Sequence, residues 1–125
     1  MPLVTVDIRH RNDPAKALER IAEGLARQMP GLVFGSLNIS ERTDARLKLG
    51  NIVVSVNPGN GKNINSRDIE VVIHANDFPE LRSSLQKRAD TIRQGMRRLL
   101  DSSDAGSRAS GFLIIRLLPS AICEF

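Results

Sequence analysis

Ile8 to Pro14 reads IRHRNDP and Ile73 to Pro79 reads IHANDFP, so twice an apolar stretch ends, crosses an Asn-Asp pair and reaches a proline. A shift of 67 residues carries Leu18, Ala22, Leu25 and Met29 onto Leu85, Ala89, Ile92 and Met96. Two causes produce such a match: capping rules and helical period meeting twice independently, or a chain built from two similar units. In the second case the chain is two tandem β-α-β units, roughly residues 2–56 and 68–120, forming one sheet with both helices on one face. The expected fold class is then α+β within a single domain spanning 1–125. Each parallel return needs a crossover, and each half has a helix of suitable length to supply it.

The elements follow from periodicity. LVTVDI (3–8) alternates and sets Val4, Val6 and Ile8 on the face shared with Pro2. Asp13 and Pro14 read as N-cap and first helical position, and Leu18, Ile21, Leu25 and Met29 recur at helical spacing until Pro30 and Gly31, where the helix is expected to stop. SLNISE (36–41), NIVVSV (51–56), IEVVIH (69–74) and FLIIRLL (112–118) read as strands. Asp77 and Pro79 open a second helix running to about Leu100, and DSSDAGSRASG is expected to be a loop.

Composition narrows the function. No apolar run approaches the roughly 20 residues of a membrane span and no signal peptide opens the chain, so a soluble, cytoplasmic protein is expected. The only cysteine, Cys123, excludes an intrachain disulfide and a zinc cluster, and no metal or cofactor is expected. Arginine outnumbers lysine fourteen to four at a net charge of +4, which suits an anionic partner. Tyr and Trp are absent, which removes the usual platforms for stacking bases.

Several motifs resolve into ordinary structure. GNGK (59–62) lacks the P-loop spacing, because Val56 and Asn63 stand where Gly and Ser or Thr are required. His10 and His74 follow strands in corresponding places without ligand spacing for a metal. Arg82, Lys87, Arg88, Arg93, Arg97 and Arg98 spread over the non-core side of the second helix, as a solvated face or an anion-binding one. Arg116 interrupts an apolar strand and must reach a carboxylate, a carbonyl, a subunit interface or solvent.

Pro2 has two readings. A proline suits the first position of a strand because it has no N–H to pair. Removal of Met1 would instead leave a secondary amine, and an apolar pocket lined with cations would keep that amine neutral as a general base. Arg9, Arg11, Arg42 and Arg46 are candidates for such cations and for holding a substrate carboxylate.

MPLVTVDI, the helix after it, the two-unit layout and the chain length together resemble the tautomerase superfamily, in particular its longer members: the malonate semialdehyde decarboxylases, the cis-3-chloroacrylic acid dehalogenases and the carboxymethyl-hydroxymuconate isomerases. The resemblance implies a catalytic amino-terminal proline at Pro2, a homotrimer and no cofactor. Arg11 is similar to the arginine opening the first helix of short tautomerases. Glu124 in LLPSAICEF falls within one residue of the dehalogenases' water-activating glutamate. The chain departs from the pattern elsewhere: His74, Asn76 and Asp77 stand where two arginines are expected, Ile114 replaces a tyrosine, and Asn38 replaces a strand arginine for which Arg42 is the substitute. These departures count against dehalogenation and malonate semialdehyde decarboxylation and leave proton transfer by Pro2.

The resulting expectation is a tautomerase or isomerase acting on a small carboxylate-bearing enol or dienol, with Pro2 and Glu124 catalytic and Arg11, Arg42, His74 and Arg116 binding substrate. The alternatives are a dehalogenase, hydratase or decarboxylase of the same superfamily, an inactive relative, and an arginine-rich module binding nucleic acid or another polyanion. The last predicts steeply salt-dependent binding.

Overall fold

The computed structural model describes residues 4–12, 15–39, 47–59 and 67–119. Its strands are β1 (Val4–His10), β2 (Ile52–Pro58), β3 (Ile69–Asn76) and β4 (Gly111–Leu118), in the sheet order β2-β1-β3-β4. β1 runs parallel to β2 and β3 parallel to β4, while the two central strands are antiparallel. Helix α1 (Ala17–Leu37) lies between β1 and β2 in the chain, and α2 (Pro79–Ser83), α3 (Leu85–Leu100) and α4 (Asp104–Arg108) lie between β3 and β4. This is the α+β arrangement expected, a mixed sheet with helices packed on it.

The central register has a symmetry of its own. Val6 faces Ile73, its counterpart under the 67-residue shift, and the pair Thr5–His74 maps onto the pair Asp7–Val72. A two-fold axis between β1 and β3 therefore relates the two halves where they meet.

Strand alternation divides the sheet into two faces. Val4, Val6, Ile8 and His10 of β1 and Ile69, Val71, Ile73 and Ala75 of β3 are buried. With them pack Met29 and Val33 of α1 and Ile92 and Met96 of α3. The opposite face carries Thr5, Asp7 and Arg9 beside Val53, Ser55 and Asn57 on one flank, and Glu70, Val72 and His74 beside Phe112, Ile114 and Arg116 on the other.

Five sequence expectations are corrected. α1 begins at Ala17 after Lys16, whose φ of 57° is left-handed, and not at the Asp13–Pro14 cap, which lies outside the described residues. α1 also continues through Pro30 to Leu37. An interior proline costs about 3 kcal/mol or more. Burial of Met29, Val33 and Leu37, each contributing about 1.5–3 kcal/mol, outweighs it. Ser36 and Leu37 are consequently helical and the strand expected at 36–41 does not start there; Asn38 instead caps α1, its Oδ1 accepting from the Leu47 N–H at 2.8 Å.

The second helix is broken, and its N-cap is Phe78. Asp77 instead pairs with Arg82 at 2.9 Å. Ser84 separates α2 from α3 with φ −127° and ψ 22°. The expected loop at 101–111 contains α4, opened by Ser103, whose Oγ accepts from the Gly106 N–H at 3.0 Å.

Candidate active site

β1 begins in the middle of the sheet, beside the start of β2 and the end of β3, since Val4 faces Ile52 and Thr5 faces His74. His74 in turn faces Arg116 of β4. Even spacing of side chains on one pleated face sets Val53, Thr5, His74 and Arg116 in a single row, with neighbouring strands about 4.8 Å apart. Two of the residues singled out from the sequence, an imidazole and a guanidinium, thus stand side by side near where β1 starts. Neither has a hydrogen-bond or ion-pair partner among the described residues. His74 is half-buried and Arg116 exposed.

The next rows are different in kind. Asp7 accepts from Arg9 Nε at 2.9 Å and from Asn57 Nδ2 at 2.7 Å, so the Arg9 guanidinium is already paired. Arg9 is no free carboxylate ligand within this protomer.

Arg11 lies past the other end of β1. Its Nη1 is 3.8 Å from Asp68 Oδ1 and its backbone N–H donates to the Asp68 carbonyl at 3.1 Å. From Val4 to His10 the strand spans about 20 Å at roughly 3.3 Å per residue. One copy of the chain therefore does not bring Arg11 together with His74 and Arg116. His10, beside it, is a buried side chain whose Nδ1 is 3.0 Å from the Arg11 carbonyl oxygen, a structural histidine.

Pro2, Arg42, Glu124, Arg46 and Cys123 lie outside the described residues. One residue that sequence reasoning passed over is Asn51, in the 3-10 turn Leu49–Asn51 that leads into β2. Its Oδ1 is buried without a hydrogen-bond partner among the described residues. A buried acceptor left unpaired costs about 1–3 kcal/mol. Only the register, in which the next residue Ile52 faces Val4, brings it to the place where β1 starts. Among the described residues no three His, Cys, Asp or Glu side chains gather as a metal site, and no helix is long and apolar enough to cross a membrane.

No family model matches the chain, and no curated protein matches it. Solved structures do. The Q0 fused 4-OT wild-type symmetric trimer is similar at 10% identity with a TM-score of 0.52, over 92% of this chain and 85% of that one. FG41 malonate semialdehyde decarboxylase inhibited by 3-bromopropiolate is similar at 16% identity with a TM-score of 0.51, over 94% of this chain and 83% of the other. Both are tautomerase-superfamily structures, and the likeness extends to the fold.

Proposed function

We propose that the chain is a cofactor-independent enzyme of the tautomerase type. Met1 is removed, and the neutral amine of Pro2 takes a proton from a small carboxylate-bearing enol or dienol and returns it at another carbon. The observation that carries this reading is the corner where β1 begins. Pro2 precedes Val4 by two residues, a reach of about 7 Å. Around the start of β1 stand His74 at the end of β3, Arg116 beside it on β4, and the Asn51 oxygen leading into β2, all three without a partner among the described residues.

The roles follow from the chemistry. Arg116, with a planar fork, holds the substrate carboxylate, and His74 beside it donates a second hydrogen bond. Both act on the developing charge as the proton leaves. Asn51 Oδ1 accepts from the Pro2 N–H and orients its lone pair. Arg42 is a further carboxylate ligand, and Glu124 activates water in the hydratase-type variant of the chemistry.

Arg11 serves the Pro2 of a second copy, since its own lies a strand length away. The assembly proposed is a homotrimer. Two observations support it: the 4-OT structure of similar fold is a symmetric trimer, and the helix-free face of the sheet exposes apolar Val53, Phe112 and Leu118. The polyanion-binding reading has less support, because Arg82, Arg88, Arg93 and Arg97 are engaged with Asp77, the Ser36 carbonyl, Asp90 and Asp101.

The test is intact mass and peptide mapping after incubation with 3-bromopropiolate, beside turnover of 2-hydroxymuconate or phenylenolpyruvate. A single adduct on Pro2 and measurable ketonisation are expected, both lost when the terminus is acetylated or extended by one residue. Undiminished ketonisation with a blocked terminus would refute the mechanism.

A further inference from the structure

On the helix layer, away from the face that carries His74 and Arg116, a groove of about 410 Å³ runs between α1 and the end of α3. Pockets that take small organic ligands begin at about 300 Å³. Arg20, Gly24 and Arg27 line one wall, at spacings of four and three residues that set them along one stripe of α1. Gly24 supplies a floor without a side chain: a Cβ there would meet only Arg27 Nη2, at 4.0 Å. Ile21, Leu25, Leu99 and Leu100 make the groove apolar beneath the arginines.

Its charge is one-sided. No carboxylate lines it, and neither the Arg20 nor the Arg27 guanidinium has a hydrogen-bond or ion-pair partner among the described residues. Arg82, Arg88, Arg93 and Arg97 are by contrast all engaged, and of the arginines without a partner among the described residues Arg20 and Arg27 are the pair that shares this groove. The negative end of α3, which would repel an anion, is covered: the Ser102 and Ser103 N–H groups donate to the Leu99 and Leu100 carbonyls, and Ser102 Oγ donates to Leu99 as well.

We infer that this groove binds a single-tailed amphiphile with an anionic head. The head lies between the Arg20 and Arg27 guanidiniums, and the tail follows the Gly24 floor against Ile21 and Leu99. A carboxylate or a phosphate monoester supplies the same head chemistry, since guanidinium forks match the oxygens of both. The site is independent of the proposed proton transfer and needs no second copy of the chain.

The experiment titrates isotopically labelled full-length protein with octanoate, octyl phosphate and octanol while following backbone amide resonances. The anionic probes are expected to shift Gly24, Arg27, Leu99 and Ser102, and the tighter of the two identifies the natural head. Octanol should bind at least about tenfold more weakly, the equivalent of losing one charge-assisted hydrogen bond. The double variant R20Q/R27Q should lose about tenfold in affinity, and Gly24→Leu should abolish binding by filling the floor. Arg20 and Arg27 are exposed, and a Cβ at Gly24 meets only the mobile end of Arg27, so both changes are compatible with folding, which the amide spectra of the variants verify directly. Shifts scattered away from the groove, equal binding of octanol, or unchanged affinity in R20Q/R27Q would each overturn the inference.

Discussion

Replacing Arg97 by Gln asks whether the arginine-rich helix holds the fold or awaits a partner. Arg97 Nη1 donates to the Ala109 carbonyl at 3.1 Å and Nη2 to the Gly106 carbonyl at 2.8 Å, while Nε meets Asp101 at 2.9 Å. These contacts tie the last turn of α3 to the segment that becomes β4. A desolvated hydrogen bond to a charged group contributes about 1.5–3 kcal/mol. With the Arg97 side chain 41% exposed, each carbonyl contact is discounted to about 1 kcal/mol. The ion pair with Asp101 adds at most about 0.5 kcal/mol. The shorter Gln side chain cannot span both carbonyls, so the expected loss is about 2 kcal/mol, or a fall in Tm of roughly 8 °C. Urea denaturation at fixed protein concentration measures it, with Arg98→Gln as the control. Arg98 is exposed without a partner among the described residues and should change stability by less than about 0.5 kcal/mol. Equal stabilities for the two variants would refute the structural role. Equal and large losses of polyanion affinity in both would favour a binding module.

Three further outcomes follow. His74→Gln and Arg116→Gln should each lower kcat/KM for a 2-hydroxydienoate at least about tenfold while leaving the denaturation midpoint in place, since neither side chain has a partner among the described residues; unchanged kinetics in both would remove them from the site. Gly106→Ala should destabilise by about 2–3 kcal/mol in the same denaturation assay, because the new Cβ would overlap the Leu100 carbonyl oxygen, which is backbone and cannot swing aside. Pro30→Ala should stabilise by about 2 kcal/mol, the roughly 3 kcal/mol cost of an interior proline less about 1 kcal/mol for the unfolded-chain freedom that Ala regains; a loss of stability would show that the helix depends on proline's restricted backbone.

The sheet was legible in the sequence because alternation in VTVDI and the buried run IEVVI report directly on which face is covered, and the strands appear where those patterns stand. Pro30–Gly31 misled because local stop signals act over one turn, whereas the burial of Val33 and Leu37 is decided by a sheet that the local pattern cannot show. The short helix α4 was hidden in a run rich in Ser, Asp and Gly, residues that favour caps as much as loops, and Ser103 uses that property to start it. At the site, Arg116 was conspicuous as a charge inside an apolar strand. That it stands beside His74 is a fact of parallel register, which no spacing in the chain encodes. Asn51 gave no signal at all, because an unpaired amide is visible only once its surroundings are folded.

The two-fold register at the heart of the sheet has a chemical consequence. Under the 67-residue shift the counterpart of Pro2 is Ile69, at the diagonally opposite corner. There the nitrogen belongs to an amide, and its proton is already given to the Ser110 carbonyl at 3.0 Å. A molecule whose two halves are related by rotation is thus lopsided in reactivity. Under the proposed chemistry, one corner keeps a basic lone pair and the other is spent on scaffolding, free to change its sequence without touching turnover.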